Sequence, residues 1–414
     1  MQAKLKQQQR DYVFSIPLED IDVSDPSLFQ SDTIDLYFER LRHQDPVHYK
    51  KDGMYGSFWS ITKFNDILAV DKNYGVFSSE ARLGGILIPD RGLHRQNFIA
   101  MDPPRHDEQR KAVAPIVAPA NLTALQSLIR SRAIETLDAL PLNETFDWVD
   151  RVSRNLTTQM LATLFDFPFE DRHLLPYWSD LAAVDLNAGT PITSEEIRDE
   201  WLQPCYAYFT KLWNERVNAP PKHDLISMLA HSEAGRNMTQ REFYGNIILL
   251  IIGGNDTVRH SITGGLLALN QNPAEYQKLR DNPGLIPNMV SEIIRWQTPL
   301  AHMRRTAVAD IELGGKQIKA GDKVVMWYLS GNRDEEVIEN PDQFLIDRKN
   351  ARHHLSFGFG VHRCVGNRLA ELQLTILWEE IMKRYQFIEV MGEPVRIYSN
   401  STHGFESMPV RIRK

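Results

Sequence analysis

The feature that most constrains the fold of this chain is a glycine-rich loop that carries one of its two cysteines. The loop runs from Phe357 to Gly366 with the sequence FGFGVHRCVG, and Cys364 is its third residue from the end. Apolar residues then recur at three- and four-residue steps, which predicts an amphipathic helix that ends at about Arg384. Because the N-terminus of a helix favours negative charge, the sequence predicts a thiolate at Cys364.

The residue types around Cys364 favour iron over zinc. A thiolate is a soft anionic ligand, and glycines allow the backbone to approach a flat macrocycle closely. His362 is placed to donate a hydrogen bond to a carboxylate at the edge of such a group. No CxxC pair or histidine cluster nearby supplies the tetrahedral ligand set of zinc. The alternative is an inert core cysteine, and the loop alone leaves both interpretations open.

Helical periodicity dominates the rest of the chain. Thr239 and Glu242 form a capping-box pattern, which predicts a long helix that ends at about Asn270. Pro287 is typical of the first turn of a further helix, which Pro299 must end.

One stretch departs from this periodicity. Between Ile311 and Leu329 the pattern changes to period two with Gly-Gly at 314 and 315, which predicts a small hairpin sheet. The last thirty residues are predicted to form short strands and turns. No linker or repeat interrupts the chain, so the sequence predicts a mainly α fold with small β-sheets.

Charge and composition exclude two classes of partner. The chain has 47 basic and 54 acidic residues, so its formal net charge of −7 gives no overall basic field for nucleic acid. Its longest aliphatic run, residues 247–252, is far shorter than the ~20 residues of a membrane span. Residues 1–15 are predicted to be a flexible tail without a secretory signal. Two cysteines suit a reducing compartment, so the sequence predicts a cytoplasmic protein.

The Cys364 loop fits the pattern F-x-x-G-x-H-x-C-x-G and resembles the haem-binding loop of the cytochrome P-450 haem-thiolate monooxygenases. Glu292 and Arg295 match the E-x-x-R pair of this family, and residues 341–348 resemble the segment that contributes a second arginine, here Arg348. An isolated pair of this spacing is worth only ~0.5 kcal/mol. Together with the loop, the resemblance implies a structural triad behind the haem.

Two further segments resemble the same family. Residues 253–257, GGNDT, are similar to the [AG]-G-x-[DE]-T segment that crosses the distal face of the haem. Glycine inside a helix costs roughly 1 kcal/mol relative to alanine, so either a bound ligand or close helix packing requires Gly253 and Gly254. The resemblance implies that Asp256 and Thr257 relay protons to dioxygen. The family usually has a second hydroxyl residue at the position of Val258.

The second segment begins at residue 101 with MDPPRHDEQR, in which His106 and Arg110 lie one turn apart on one helix face. It resembles the D-x-P-x-H-x-x-x-R of bacterial members, which implies that both side chains hold haem propionates. Arg304 resembles another propionate-binding arginine, although Arg305 beside it is an alternative. A surface cation is the other interpretation of each.

The resemblance covers residues 16–414 and implies the triangular, single-domain haem-thiolate fold with haem b, iron protoporphyrin IX, as cofactor. Cys364 is the implied iron ligand. The implied haem-binding residues are His106, Arg110, Gly253, Gly254, Arg304, Phe357, Gly358, His362, Cys364 and Gly366.

The residues within and beside these motifs are most similar to those of the bacterial alkane and fatty-acid terminal hydroxylases. This similarity implies hydroxylation of medium-chain substrates at the terminal carbon. We expect an apolar pocket in which Leu250 and Leu300 form a constriction that admits only one end of the substrate. The expected pocket residues are Leu83, Ile86, Leu249, Leu250, Leu300, Met303 and Phe405.

Other substrates and roles stay open at this point. Arg82, Arg91 and Arg95 flank the expected mouth and are placed to hold a carboxylate, which keeps fatty acids beside alkanes. Another apolar substrate, such as a terpenoid or steroid, is one alternative, and a non-catalytic haem sensor is another. A peroxide-driven enzyme is disfavoured, because such members have Arg-Pro in place of Asp256 and Thr257.

The electrons must come from another protein, since no flavin or iron–sulfur motif remains in the chain. The resemblance implies a ferredoxin and its reductase, with NADH or NADPH as ultimate donor and dioxygen as co-substrate. Lys111, Arg363 and Arg368 are predicted to form a local basic dock for the ferredoxin, with scattered surface charge as the alternative.

Overall fold

The computed structural model describes residues 2–90 and 96–413 of the chain. Its helices, in chain order, are α1 Gln2–Ser15, α2 Pro26–Gln30, α3 Ile34–Gln44, α4 Phe64–Lys72, α5 Arg105–Val113, α6 Pro119–Asp138, α7 Asn155–Phe165, α8 Leu174–Ala183, α9 Glu195–Trp201, α10 Gln203–Val217, α11 Leu225–His231, α12 Glu233–Arg236, α13 Gln240–Gln271, α14 Pro273–Asp281, α15 Ile286–Gln297, α16 Tyr328–Gly331 and α17 Asn367–Arg384.

The strands are short. They are β1 Val47–Gly53, β2 Gly56–Ile61, β3 Phe77–Ser78, β4 Thr145–Asp147, β5 His302–Ala307, β6 Ile311–Leu313, β7 Lys316–Ile318, β8 Lys323–Trp327, β9 Ile388–Val390, β10 Val395–Arg396, β11 Phe405–Ser407 and β12 Pro409–Ile412. The largest sheet has the order β1-β2-β8-β5-β3, in which only β2 and β8 run parallel. The prediction of a mainly α fold with small sheets is confirmed.

The predicted hairpin between Ile311 and Leu329 is only partly correct. Strands β6 and β7 form it and pair with each other, with Ile311 opposite Ile318. Strand β8 instead lies inside the largest sheet, between β2 and β5. The reason is burial, since Val324, Val325, Met326 and Trp327 are all inaccessible and need cover on both faces.

Helix α13 is the central element of the molecule. It begins with the predicted capping box, in which the Thr239 hydroxyl accepts from the Glu242 amide and the Glu242 carboxylate accepts from the Thr239 amide. From Val258 to Leu269 every residue is buried against neighbouring elements, among them α7, α8 and α15. The predicted ends of α13, α15 and α17 are confirmed within two residues.

The N-terminal residues differ from the prediction of a flexible tail. They form helix α1, which contacts α3. The Arg10 guanidinium donates to Glu39 of α3, with 2.6 Å between Nη2 and Oε1, and Val13 is only 2% exposed. The sequence alone did not indicate this partner, because the segment is polar and its contacts are few.

Within the described parts of the chain no single helix has the length and apolarity of a membrane span. One helix pair, Arg105–Val117 with Pro119–Asp138, meets the same criteria of length and composition but is bent by 47°.

Candidate active site

The Cys364 loop and helix α13 both line an internal cavity of about 340 Å³. The lining is mainly aliphatic and aromatic. The sequence-predicted residues that reach it are Ile86, Arg110, Leu249, Leu250, Gly253, Gly254, Thr257, Leu300, Met303, Phe357, Gly358, His362, Cys364 and Gly366. The structure therefore brings together segments that lie more than 250 residues apart in the sequence.

The Cys364 thiol faces this cavity, and its exposed surface lies there. Its backbone amide donates to the Phe357 carbonyl at 2.8 Å, which closes the loop. Burial raises the pKa of the thiol, although the amides of Gly366 and Asn367 and the nearby Arg110 and Arg363 act in the opposite direction. The amides at the helix N-terminus therefore act in the predicted direction, but burial outweighs them.

A cluster of basic side chains lies at one edge of the cavity, formed by His106, Arg110, Arg305 and His362. The rings of His106 and His362 are 4.4 Å apart. His106 Nε2 and His362 Nδ1 are buried and have no hydrogen-bond partner among residues 2–90 and 96–413. Burial lowers the pKa of His362, and the neighbouring Arg305, His106 and Arg110 lower it further. Unpaired ring nitrogens beside two guanidinium groups suit the carboxylates of a bound cofactor.

The prediction that the Arg304 side chain reaches the cofactor site is wrong, because Arg305 lines the cavity and Arg304 does not. Both lie on β5, where successive side chains point to opposite faces. Met303 and Arg305 share the cavity face, and Arg304 donates to the Leu83 carbonyl at 3.0 Å on the other. Arg305 also pairs with the buried Asp71 at 2.8 Å. The alternative named from the sequence is therefore the residue at the site.

The adjacent glycines Gly253 and Gly254 of α13 differ in the space beside them. A Cβ at Gly254 would lie 2.7 Å from Leu161 Cδ1, so a side chain there requires the end of Leu161 on α7 to shift. A Cβ at Gly253 would meet no described protein atom within 4 Å, and the same holds for Gly366 beside the thiol. Packing among the described residues therefore does not require Gly253 or Gly366. The open space beside both glycines would fit a flat cofactor bound at Cys364.

Asp256 and Thr257 point in different directions. Thr257 lines the cavity and donates to the Gly253 carbonyl at 3.2 Å. Asp256 is 2% exposed and does not reach the cavity; its carboxylate accepts from Ser179 at 3.0 Å and lies 3.2 Å from Arg259. Burial raises its pKa, and Arg259 opposes the rise. The two side chains point to different sides of α13, because the helix turns by about 100° per residue. That both relay protons stays a prediction.

Glu292, Arg295 and Arg348 form the expected buried triad. The two Glu292 oxygens accept from Arg295 Nη2 and Arg348 Nε, each at 2.8 Å. Arg295 also donates to the carbonyls of Asn332 and Pro341, both at 2.9 Å. Burial lowers the pKa of Arg295 to about 10, while Glu292 opposes this change.

The triad is connected to the Cys364 loop through residues 355 and 356. Asn332 accepts from the Leu355 amide at 2.7 Å, and Ser356 donates to the Ile294 carbonyl of α15 at 2.8 Å. These residues directly precede Phe357. The triad therefore acts on the loop through its backbone anchors.

Two predicted pocket residues do not line the cavity. Leu83 is 36% exposed at the surface, and Phe405 is buried in the main core with its amide donating to His260. Arg82 pairs with Glu80 and is exposed, so it does not line the cavity either, and Arg91 and Arg95 lie outside the described residues. Sequence reasoning missed lining residues that carry no motif, namely Phe98, Ile99, Val113, Val117, Met160, Leu161, Leu164, Ser401 and Thr402.

Replacing both His106 and Arg110 with alanine is expected to lower the haem occupancy of the purified protein severalfold. The change removes one guanidinium and one imidazole from the basic edge and leaves the carboxylates of the cofactor without two of their partners. Haem per polypeptide, measured by the pyridine haemochrome assay, is the readout. Lys111→Ala on the same helix is the matched control, and equal occupancy in both variants would refute the role.

Comparison with known proteins gives a consistent result. The model of the cytochrome P450 family matches residues 284–412. Linalool 8-monooxygenase from Pseudomonas putida is 33% identical and covers 95% of this chain and 99% of its own length. A methyl-branched lipid omega-hydroxylase from Mycobacterium tuberculosis is 31% identical, with 95% of both chains covered.

Solved structures agree over nearly the whole chain. CYP153D17 from Sphingomonas sp. PAMC 26605 is 47% identical with a TM-score of 0.90, and covers 95% of this chain and 99% of that one. Cytochrome P450-153 from Novosphingobium aromaticivorans is 45% identical with a TM-score of 0.88 and the same coverage.

Proposed function

Because the chain belongs to the cytochrome P450 family, we propose that it hydroxylates medium-chain alkanes or fatty acids at the terminal carbon. The coarser activity, a haem-dependent monooxygenase reaction, follows from the family. The observation that carries the finer proposal is the apolar cavity, whose charged lining residues among those described are confined to the basic edge.

Haem b is the cofactor of this family, and when bound it supplies the activation of dioxygen for insertion of one oxygen atom into a C–H bond. The thiol of Cys364 is the proposed iron ligand. His106, Arg110, Arg305 and His362 bind the propionates. Phe357, Gly358 and Gly366 shape the wall on the side of the thiol, and Gly253 leaves space on α13.

Thr257 and Asp256 are the proposed proton-delivery residues, with separate tasks. The Thr257 hydroxyl is the member that touches the cavity, so it holds and passes the proton at the reacting end. Asp256, which is buried and does not line the cavity, supplies protons to Thr257 from the interior of the protein. Its partner Arg259 also contacts Asp180, a half-exposed carboxylate, at 3.1 Å, which connects the buried acid with solvent.

Thr257→Ala is expected to keep substrate binding and to lower the product formed per reduced cofactor by about tenfold, since proton delivery loses its positioned hydroxyl. The electrons lost from product formation are expected as hydrogen peroxide. Product and peroxide per NADH or NADPH consumed are the quantities to measure. Thr257→Ser keeps the hydroxyl and should restore most of the coupling. Full coupling in the alanine variant would exclude Thr257 from proton delivery.

The apolar lining of the cavity supports an apolar chain as the substrate, for which we propose a length of about eight to twelve carbons. Each buried methylene contributes about 0.8 kcal/mol, so such a chain binds without a polar anchor. Leu250 and Leu300 both line the cavity and remain the candidates for the constriction that favours the methyl end. Arg91 and Arg95, which are predicted from the sequence to hold a fatty-acid carboxylate, lie outside the described residues, so the proposal covers both alkanes and fatty acids.

A terpenoid is the second candidate. Linalool 8-monooxygenase is named for such a substrate, and the methyl-branched lipid omega-hydroxylase is named for attack at a chain end. Both names are compatible with a neutral apolar cavity. The experiment therefore has to include both classes.

The test is product analysis by mass spectrometry after incubation with octane, dodecanoic acid and linalool, using a ferredoxin, its reductase and NADH. Terminal alcohols from octane or dodecanoic acid are expected. A subterminal alcohol as main product would refute terminal attack, and oxidation of linalool alone would refute the chain substrates. NADH consumption that does not respond to any apolar compound would favour a haem sensor.

A ferredoxin and its reductase are the proposed electron donors. We propose that this protein, like them, is cytoplasmic. Lys111, Arg363 and Arg368 are exposed. Arg110 donates to the Arg363 carbonyl at 2.5 Å, which places Arg363 beside the cofactor edge. An acidic ferredoxin surface complements these charges.

A further inference from the structure

We propose that Asn246 is a specificity-determining residue, which positions residues 97–100 against α13 and thereby sets the size of ligand that the cavity admits. Residues 97–100, named here the wall segment, all line the cavity. The inference depends on the proposed function only in that the cavity holds the cofactor and its ligands.

Asn246 lies one helical turn before the part of α13 that lines the cavity, which begins with residues 248–250. Asn246 itself does not line the cavity. Its polar side chain is fully buried. A buried carboxamide is unfavourable unless its hydrogen bonds are made, so its partners indicate its role.

The partners of Asn246 lie on the wall segment and on α5. Its Oδ1 accepts from the Phe98 amide at 2.9 Å, and its Nδ2 donates to Gln109 Oε1 at 2.9 Å. Gln109 is buried, one turn after His106 and directly before Arg110. A single side chain thus links the wall segment, α13 and the helix of the basic edge.

Gly245, the residue before Asn246, provides an independent observation. Gly245 packs directly on the chain leading into the wall segment, because a Cβ there would overlap the Gln96 carbonyl oxygen. Two successive positions of α13 are therefore adapted to the same short stretch. Residue 245 allows the backbone to approach, and residue 246 fixes it with a hydrogen bond.

Phe98 also packs in the main core, but among the described residues the other hydrogen bonds of the wall segment lie within it. Within it the Ala100 amide is bound by Asn97 Oδ1 at 3.2 Å, which is an internal contact. If Asn246 cannot accept from the Phe98 amide, that buried N–H is left unpaired, and the segment has to shift to satisfy it. Such a shift changes the distance between Phe98, Ile99 and the facing leucines of α13.

The experiment is a spectral titration of the purified haem-loaded protein with imidazole and 1-dodecylimidazole. Both probes ligate the iron through nitrogen, but only the second requires room in the cavity. Asn246→Leu is expected to change the ratio of the two dissociation constants by about tenfold. Asn246→Ser, which is too short to reach Phe98 and perturbs the core less, is expected to change it in the same direction.

Asn270→Leu is the matched control, since Asn270 lies on the same helix and its Oδ1 also accepts a backbone amide, that of Val390, at 3.0 Å. It is expected to leave the ratio unchanged. An unchanged ratio in both Asn246 variants, or an equal change in the control, would overturn the inference. A wild-type protein that binds both probes but oxidises no alkane or fatty acid would refute the proposed function alone.

Discussion

Replacement of Cys364 by serine is expected to abolish the strongly red-shifted Soret band of the ferrous-carbonyl complex and to reduce hydroxylation below detection. The thiolate donates electron density to the iron, and a serine hydroxyl does not replace it. The thiol faces the cavity, and the neighbouring glycine leaves space for a flat group against it. The ferrous-carbonyl difference spectrum of the purified variant is the direct measurement.

Cys205→Ser is the matched control for this prediction. Cys205 is the other free cysteine, and it is fully buried in the main core, where burial raises its pKa well above the usual range. The control is expected to keep the red-shifted band. A retained band in the Cys364 variant would show that this residue is not the iron ligand.

Replacement of Glu292 by glutamine is expected to lower the free energy of unfolding by about 3–5 kcal/mol, which is the usual cost of breaking a buried ion pair. The glutamine leaves two buried guanidinium groups, those of Arg295 and Arg348, without their shared anion. It also weakens the acceptor of the Leu345 amide, which lies 2.9 Å from Glu292 Oε1. Because residues 355 and 356 are anchored to the same elements, a loss of haem is expected as well.

The measurements are urea unfolding and haem occupancy. Glu275→Gln is the control, since Glu275 also accepts a backbone amide of this region, that of Ile346, at 2.9 Å, but pairs with a partly exposed lysine. The Glu275→Gln substitution is expected to lower the free energy of unfolding by no more than about 1 kcal/mol. Equal stability of the two variants would contradict the structural role of the triad.

The contiguous motifs could be predicted from the sequence, and the reason is local. The capping box at Thr239, the spacing of Glu292 and Arg295, and the glycine loop around Cys364 each depend on residues that are neighbours in the chain. Hydrogen bonds and φ angles within one turn or loop fix their geometry. The resemblance of these motifs to one family then supplied the fold and the cofactor.

The destinations of single side chains could not be predicted in this way. The preference for Arg305 over Arg304 depends on the register of β5 against β8, since Arg305 lies opposite Val324 and Arg304 opposite Val325. The direction of Asp256 depends on Ser179 of α8. In the sequence, β5 and β8 are separated by the hairpin of β6 and β7, and Ser179 lies 77 residues from Asp256. No local sequence pattern therefore predicts either contact.

The sequence by itself therefore determined the long helices and the glycine loop around Cys364, because short-range geometry suffices for them, and its resemblance to one family indicated the cofactor. Only the tertiary structure decided which glycine of α13 has open space in the cavity, that Leu83 and Phe405 lie away from the cavity, and that Asn246 accepts from the Phe98 amide. These outcomes depend on how distant elements pack, and packing is set by shape and by hydrogen-bond partners that the chain brings together only when folded.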